Sequence, residues 1–130
     1  MKANGSFEVK LSPEPAFAEE HGVTLSKITA TKRFFGVLEA DGIVHMIAVR
    51  TPLPTSAGYV AIEQVRGTLG GKAGTFVLQH SATATAKERV LLVTVVPNSG
   101  TGELQGLTGK MDIQIVEGKH HYDFEYEIVT

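Results

Sequence analysis

The chain has no cysteine. Disulfide staples, thiolate nucleophiles and cysteine-ligated zinc or iron–sulfur centres are therefore excluded, and the redox compartment is left open. It also has little excess charge. Twelve basic residues stand against 14 acidic ones for a net −2, and the basic residues are scattered, so nothing attracts a phosphate backbone and nucleic acid is not an expected partner. Long apolar runs are missing too. Met1 to Glu8 alternate polar and apolar where a signal peptide needs an unbroken apolar stretch, and no later run approaches membrane length. The expectation is a cytoplasmic protein with no membrane partner.

Glycine, by contrast, is plentiful and patterned. The motif G-x-L-x-G-x-x-G-x-Φ-x-Φ (Φ apolar) occurs as Gly67-Thr68-Leu69-Gly70-Gly71-Lys72-Ala73-Gly74-Thr75-Phe76-Val77-Leu78 and again as Gly102-Glu103-Leu104-Gln105-Gly106-Leu107-Thr108-Gly109-Lys110-Met111-Asp112-Ile113. Each copy reads as a strand, a glycine-set bend and a second strand, because glycine reaches the bend conformations cheaply and period-two apolar residues follow. The 130 residues make one domain, 1–130, large enough to bury roughly two thirds of the surface its unfolded form exposes.

Strand patterns fill the rest. Phe7, Val9 and Leu11 alternate with Ser6, Glu8 and Lys10. Residues 16–21 read as a loop rather than a helical turn, since two prolines precede them. A second strand covers about 25–35 and a third 37–50, with Asp41-Gly42 read as a bulge in one long strand rather than a hairpin tip. Residues 51–58 form a breaker-rich loop, mobile at one end of the structure. Strands at about 59–69, 74–85, 89–96, 109–116 and 122–128 complete a set of eight. Short links make neighbours antiparallel, and closure removes exposed edges. The predicted fold is all-β, a closed eight-stranded antiparallel up-and-down barrel, with the Gly71 and Gly106 bends at equivalent ends. A two-sheet β-sandwich would show the same alternation.

The segment Gly58-Tyr59-Val60-Ala61 through Gly67, Leu69, Gly71, Gly74, Phe76, Leu78 and Gln79, then Val95-Val96-Pro97, Gly100-Thr101-Gly102-Glu103-Leu104 and Tyr122-Asp123-Phe124-Glu125-Tyr126, resembles a bacterial domain-of-unknown-function family whose members look like allene-oxide-cyclase-type barrels. The resemblance implies an eight-stranded antiparallel barrel, often oligomeric, and no activity. Likeness to allene oxide cyclases and dirigent proteins themselves is confined to the tyrosine–alanine and glycine hairpin. The cyclases' pocket involves a cysteine that this chain lacks, so their chemistry is not carried over.

Strand parity says which side chains face inward. In the last strand Tyr122, Phe124, Tyr126 and Ile128 alternate with Asp123, Glu125, Glu127 and Val129, so the aromatic set points in, and His120 with it. Phe76, Leu78 and His80 align in the repeat with Met111, Ile113 and Ile115, which turns His80 inward. Lys32 lies between inward Ala30 and Phe34. For 59–69 the Tyr59, Ala61, Glu63, Val65 face is taken as inward, because Gln64 and Arg66 are easier to solvate outside.

Lys32, Tyr59, Glu63 and His80 are thus expected to meet inside the barrel. As a site, Glu63 and His80 form an acid/base pair with pKa values moved by desolvation. Lys32 is then a counter-charge or anion anchor, and the hydroxyls of Tyr59, Tyr122 and Tyr126 orient a ligand. The reading that leads for these groups is a buried, mutually satisfied structural network, or a parity slip in one strand. Ala30, Ala61, Ala82 and Ala84 leave room for a small ligand.

Other signals are weak. His120 and His121 are adjacent, so on a strand they face opposite ways, and no metal site is expected. The glycines of 67–74 lack G-x-G-x-x-G and lead into a strand, so no nucleotide and no cofactor is expected. Ser81 and Ser99 have no elbow-like context. Outward apolar Leu92, Val96 and Val129 point to a homo-oligomer. The function that fits best is binding of a small apolar or amphipathic molecule in the barrel. The alternatives are a cyclase- or isomerase-like enzyme using Glu63/His80 proton transfer and an oligomeric structural protein with a filled barrel.

Overall fold

Alternating apolar residues build nine antiparallel strands in the computed structural model, which describes residues 1–129. They are β1 (Lys2–Pro13), β2 (Ala18–Glu20), β3 (Val23–Gly36), β4 (Leu38–Arg50), β5 (Ala57–Leu69), β6 (Lys72–Ala84), β7 (Arg89–Val95), β8 (Leu107–Val116) and β9 (Lys119–Ile128). The sheet order is β1-β9-β8-β7-β6-β5-β4-β3-β2, and β1 also pairs with β3 from Gly5↔Gly36 to Pro13↔Ile28. That last pairing closes eight strands into a barrel and leaves β2 as an extra strand. A two-sheet sandwich is excluded, since the ladder runs round without a break between sheets.

Tight turns fix the register. β5 and β6 join through Gly70-Gly71 at φ 58° and 83°, with Leu69 opposite Lys72. Both central residues of such a two-residue turn need positive φ, which glycine reaches without strain. Glu117-Gly118 and His21-Gly22 make the same kind of connection.

Three local expectations are corrected. Residues 18–20 are a strand, because the His21-Gly22 turn folds them back onto β3 despite their charged, non-alternating sequence. Asp41-Gly42 is neither bulge nor hairpin tip. Pairing continues through it on both sides, Lys32↔Gly42 and Gly42↔Val65, and the glycine has a packing reason given below. The second repeat copy is not strand, bend, strand. Beyond β7, residues 96–101 lie along β6, with the Thr101 N–H donating to Thr75 O (2.8 Å) and the Val77 N–H donating to Ser99 Oγ (3.1 Å). One 3-10 turn, Gly102–Leu104, then leads into β8. Gly71 and Gly106 nevertheless stand at the same end of the barrel.

That detour opens a seam. β4 and β5 pair along their whole length, Leu38↔Leu69 to Arg50↔Ala57, whereas β7 and β8 meet in a single ladder pair, Thr94↔Lys110.

Inside, the end carrying the 3-10 turn is solid. Phe34, Leu69, Phe76, Leu104, Leu107 and Phe124 are fully buried there. The Phe76 and Phe124 rings stack at 6.0 Å. Tyr122 ties the closing strands together: its hydroxyl accepts from the Leu38 N–H (3.0 Å) and donates to Phe35 O (3.0 Å) or Leu38 O (3.1 Å). It reaches them over Gly5 and Gly36, where any side chain would collide with that hydroxyl or with neighbouring backbone. On the outside, Ile43, Ile47, Val60 and Ile62 form an exposed apolar patch on β4 and β5. Among the described residues no helix is long and apolar enough to cross a membrane.

Candidate functional site

Towards the other end the inward side chains shrink to Ala48, Ala57, Ala82 and Ala84, and a cavity of about 800 Å³ opens. Its walls include Val9, Met46, Tyr59, Leu91 and Ile113. Leu91 and Ile113 belong to β7 and β8, so the seam between these strands borders the mouth.

The boundary between solid and hollow halves is ionic. Glu63 Oε1 accepts from Lys32 Nζ at 3.1 Å and from His80 Nε2 at 2.8 Å. The three side chains are 0%, 9% and 4% exposed in the order Glu63, Lys32, His80, so solvent screens the cluster little. Lys32 Nζ also lies over the Phe7 ring (4.7 Å) and near the Phe34 ring (5.7 Å), a placement in which the ring faces attract the cation. Parity explains how three strands supply the cluster, and Gly42 explains why it fits. Lys32 is paired with Gly42, and a Cβ at position 42 would run into Glu63 Oε2, with Phe34 at 3.2 Å on its other side. The missing side chain is the space into which the carboxylate reaches. Oε2 is buried there without a hydrogen-bond partner.

Burial by itself would push the Glu63 carboxyl upward. The hydrogen bonds from His80 and Lys32, and their positive charge, outweigh that and hold it below the ordinary value. An ionised carboxylate only accepts, so His80 Nε2 carries a hydrogen. His80 also lines the cavity. A carboxylate fixing one imidazole nitrogen of a histidine that lines a cavity is an arrangement able to move protons.

Lys32, Glu63 and His80 therefore come together, and Tyr59 stands in the wall above them. Burial, then the nearby Glu63 charge, raise the Tyr59 phenol. Tyr122 and Tyr126 do not join them. Both sit in the solid half and line no part of this cavity. Parity turned them inward, but height along the strand put them below the ionic cluster, where the Tyr122 hydroxyl is committed to backbone. Burial raises the Tyr122 phenol, against the lowering effect of its bond to Leu38. Sequence reasoning missed Gly42 and the cation–π contact from Phe7. It also passed over Arg50 and Arg89 at the mouth, which share the inward parity of Met46 and Leu91. Among the described residues no three His, Asp or Glu side chains gather as metal ligands would.

Fold and site together define a cup: a small antiparallel barrel, solid below, hollow above, with an ion cluster between. The chain belongs to the family described as "Protein of unknown function (DUF3224)", whose model matches residues 3–126, as the glycine and tyrosine motifs imply. It is similar to a crystal structure of a protein with unknown function from the same family in Shewanella oneidensis MR-1. The two share 46% identity and a TM-score of 0.95 over 100% of this chain and 98% of that one. No curated protein matches the chain.

Proposed function

We propose that this protein binds a small apolar or amphipathic molecule inside the hollow half of its barrel. One observation carries the reading: an open cavity of about 800 Å³ with mostly apolar walls in the barrel's hollow half. A barrel whose role is purely structural gains by filling its interior, because each void forfeits packing. Here the solid half shows what filling looks like, and the hollow half departs from it. Pockets of this size and lining, with a few polar groups converging at one point, are typical of ligand sites. The test is titration with Nile red, a neutral apolar dye. Saturable binding at one dye per chain, abolished in a folded Ala82→Leu variant, is the expected result. No saturable binding, or binding indifferent to that substitution, overturns the reading.

Proton-transfer catalysis on the bound molecule is a second reading, favoured by His80 standing between the Glu63 carboxylate and the cavity. Turnover of a bound compound that is lost in His80→Phe is its signature. Self-association is favoured by the outer patch of Ile43, Ile47, Val60 and Ile62. Such a contiguous apolar face on β4 and β5 suits an isologous contact between copies. Light scattering at micromolar concentration should give a multiple of the chain mass, and Ile47→Lys/Ile62→Lys should restore that of one chain.

A further inference from the structure

The mouth of the cup carries chemistry that the floor does not. Arg50 ends β4 and Arg89 begins β7, and both line the cavity. Ladder pairing places them on one row: Arg50 opposite Ala57, Ala57 opposite Ala84, Ala84 opposite Arg89. Side chains on such a row share one face of the sheet, and this row continues the inward face of Met46, Tyr59 and Ala82. Three strand spacings separate the two arginines, about 14 Å along the curved wall. Only alanines stand between them, so the two long arms reach over an open ledge.

Neither guanidinium is spoken for. Among the described residues neither Arg50 nor Arg89 has a carboxylate at ion-pair distance. The remaining ionisable groups on the lining, apart from the Tyr59 phenol, are Lys32, His80 and His120; no aspartate or glutamate contributes to it. Glu63 is set behind Lys32 and His80 and is taken up by them. The charge that the cavity presents is thus of one sign and gathered at its rim, while the wall below is apolar. Low-dielectric walls concentrate such a field, and a guanidinium fork matches the paired oxygens of an anionic group.

We propose that the molecule bound in the cup is an amphipathic organic anion, its apolar body pointing down towards the Lys32–Glu63–His80 floor and its anionic head held between Arg50 and Arg89. This rests on the cavity being a ligand site and adds the charge and orientation of the ligand. The probes are decanoate, decan-1-ol and decyltrimethylammonium, three ligands with the same tail and different heads, each competing with bound Nile red.

Decanoate should displace the dye at a concentration about tenfold lower than decan-1-ol, with decyltrimethylammonium weakest. In Arg50→Gln/Arg89→Gln the preference for decanoate over decan-1-ol should collapse to about twofold or less, and added salt should narrow it in the unaltered protein. Arg66→Gln/Lys110→Gln removes the same charge from exposed outward positions, and should keep the preference. Equal displacement by decanoate and decan-1-ol, or a preference that survives Arg50→Gln/Arg89→Gln, overturns the anion proposal and leaves the cavity reading standing. Failure of Nile red itself to bind overturns both.

Discussion

The two halves of this barrel are made from the same strands, with the same parity and the same inward face, yet one is solid and the other hollow. On β9 the inward row descends through Tyr122, Phe124 and Tyr126 into the packed end. On β6 it climbs from Phe76 and Leu78 through His80 to Ala82 and Ala84. Parity decides which side chains face in. The gradient of side-chain size along each strand decides whether they meet. A chain of this length can therefore hold an internal space without a larger barrel, provided that one end supplies the core.

The sharpest way to break the comparison is to truncate matched inward positions. Phe124→Ala, in the solid half, should lower unfolding free energy by roughly 3 to 5 kcal/mol in denaturant titration, because a stacked, fully buried ring leaves a cavity behind. A loss below about 1 kcal/mol would mean that the solid half is not the stabilising core.

A smaller loss is expected at the boundary. Glu63→Gln keeps the shape and removes the charge, leaving Lys32 and His80 incompletely satisfied, and should cost roughly 1 to 3 kcal/mol at neutral pH. The sign with pH follows from the depressed Glu63 carboxyl. The unfolded chain takes up this proton first, so the stabilisation is complete above the ordinary carboxylate range and is lost as pH falls through the folded value. Parallel denaturant curves for the two proteins should converge on acidification. A gap that widens in acid contradicts an ionised, hydrogen-bonded Glu63.

Smallest of all should be Ala82→Leu, which adds bulk where there is space. Stability should change by under about 1 kcal/mol, although dye binding is lost. A large destabilisation would show that the hollow half is narrower than the structure describes.

Much of this was legible in the strands' own pattern. Placing Tyr59, Ala61 and Glu63 inside, on the argument that Gln64 and Arg66 belong in water, brings Glu63 to His80 and Lys32. Local pattern could not explain Gly42. Asp-Gly is a turn signal over short range, but this glycine answers to a carboxylate 21 positions along the chain, Glu63, and only the folded register brings the two together. The second glycine motif misleads for a related reason. Its letters match the first, but what precedes it is Pro97-Asn98-Ser99-Gly100 rather than a strand, so context turned a hairpin into a 3-10 turn. Arg50 and Arg89 were within reach of parity. What hid them was height, which becomes readable only when the rows are aligned through Ala57 and Ala84.

Closure by β1 has a consequence for the order of events during synthesis. β1 needs β3 on one flank, Gly5 against Gly36, and β9 on the other, Lys2 against Glu125. The first partner emerges soon after β1. The second emerges on the order of ten seconds later at ordinary translation rates. Hairpins with two-residue turns, β5–β6 and β8–β9, can form locally and early, whereas the β1–β9 ladder must wait for the most distant pairing in the molecule. Until then the nascent sheet carries an open edge, and the Leu38 N–H has no Tyr122 hydroxyl to donate to.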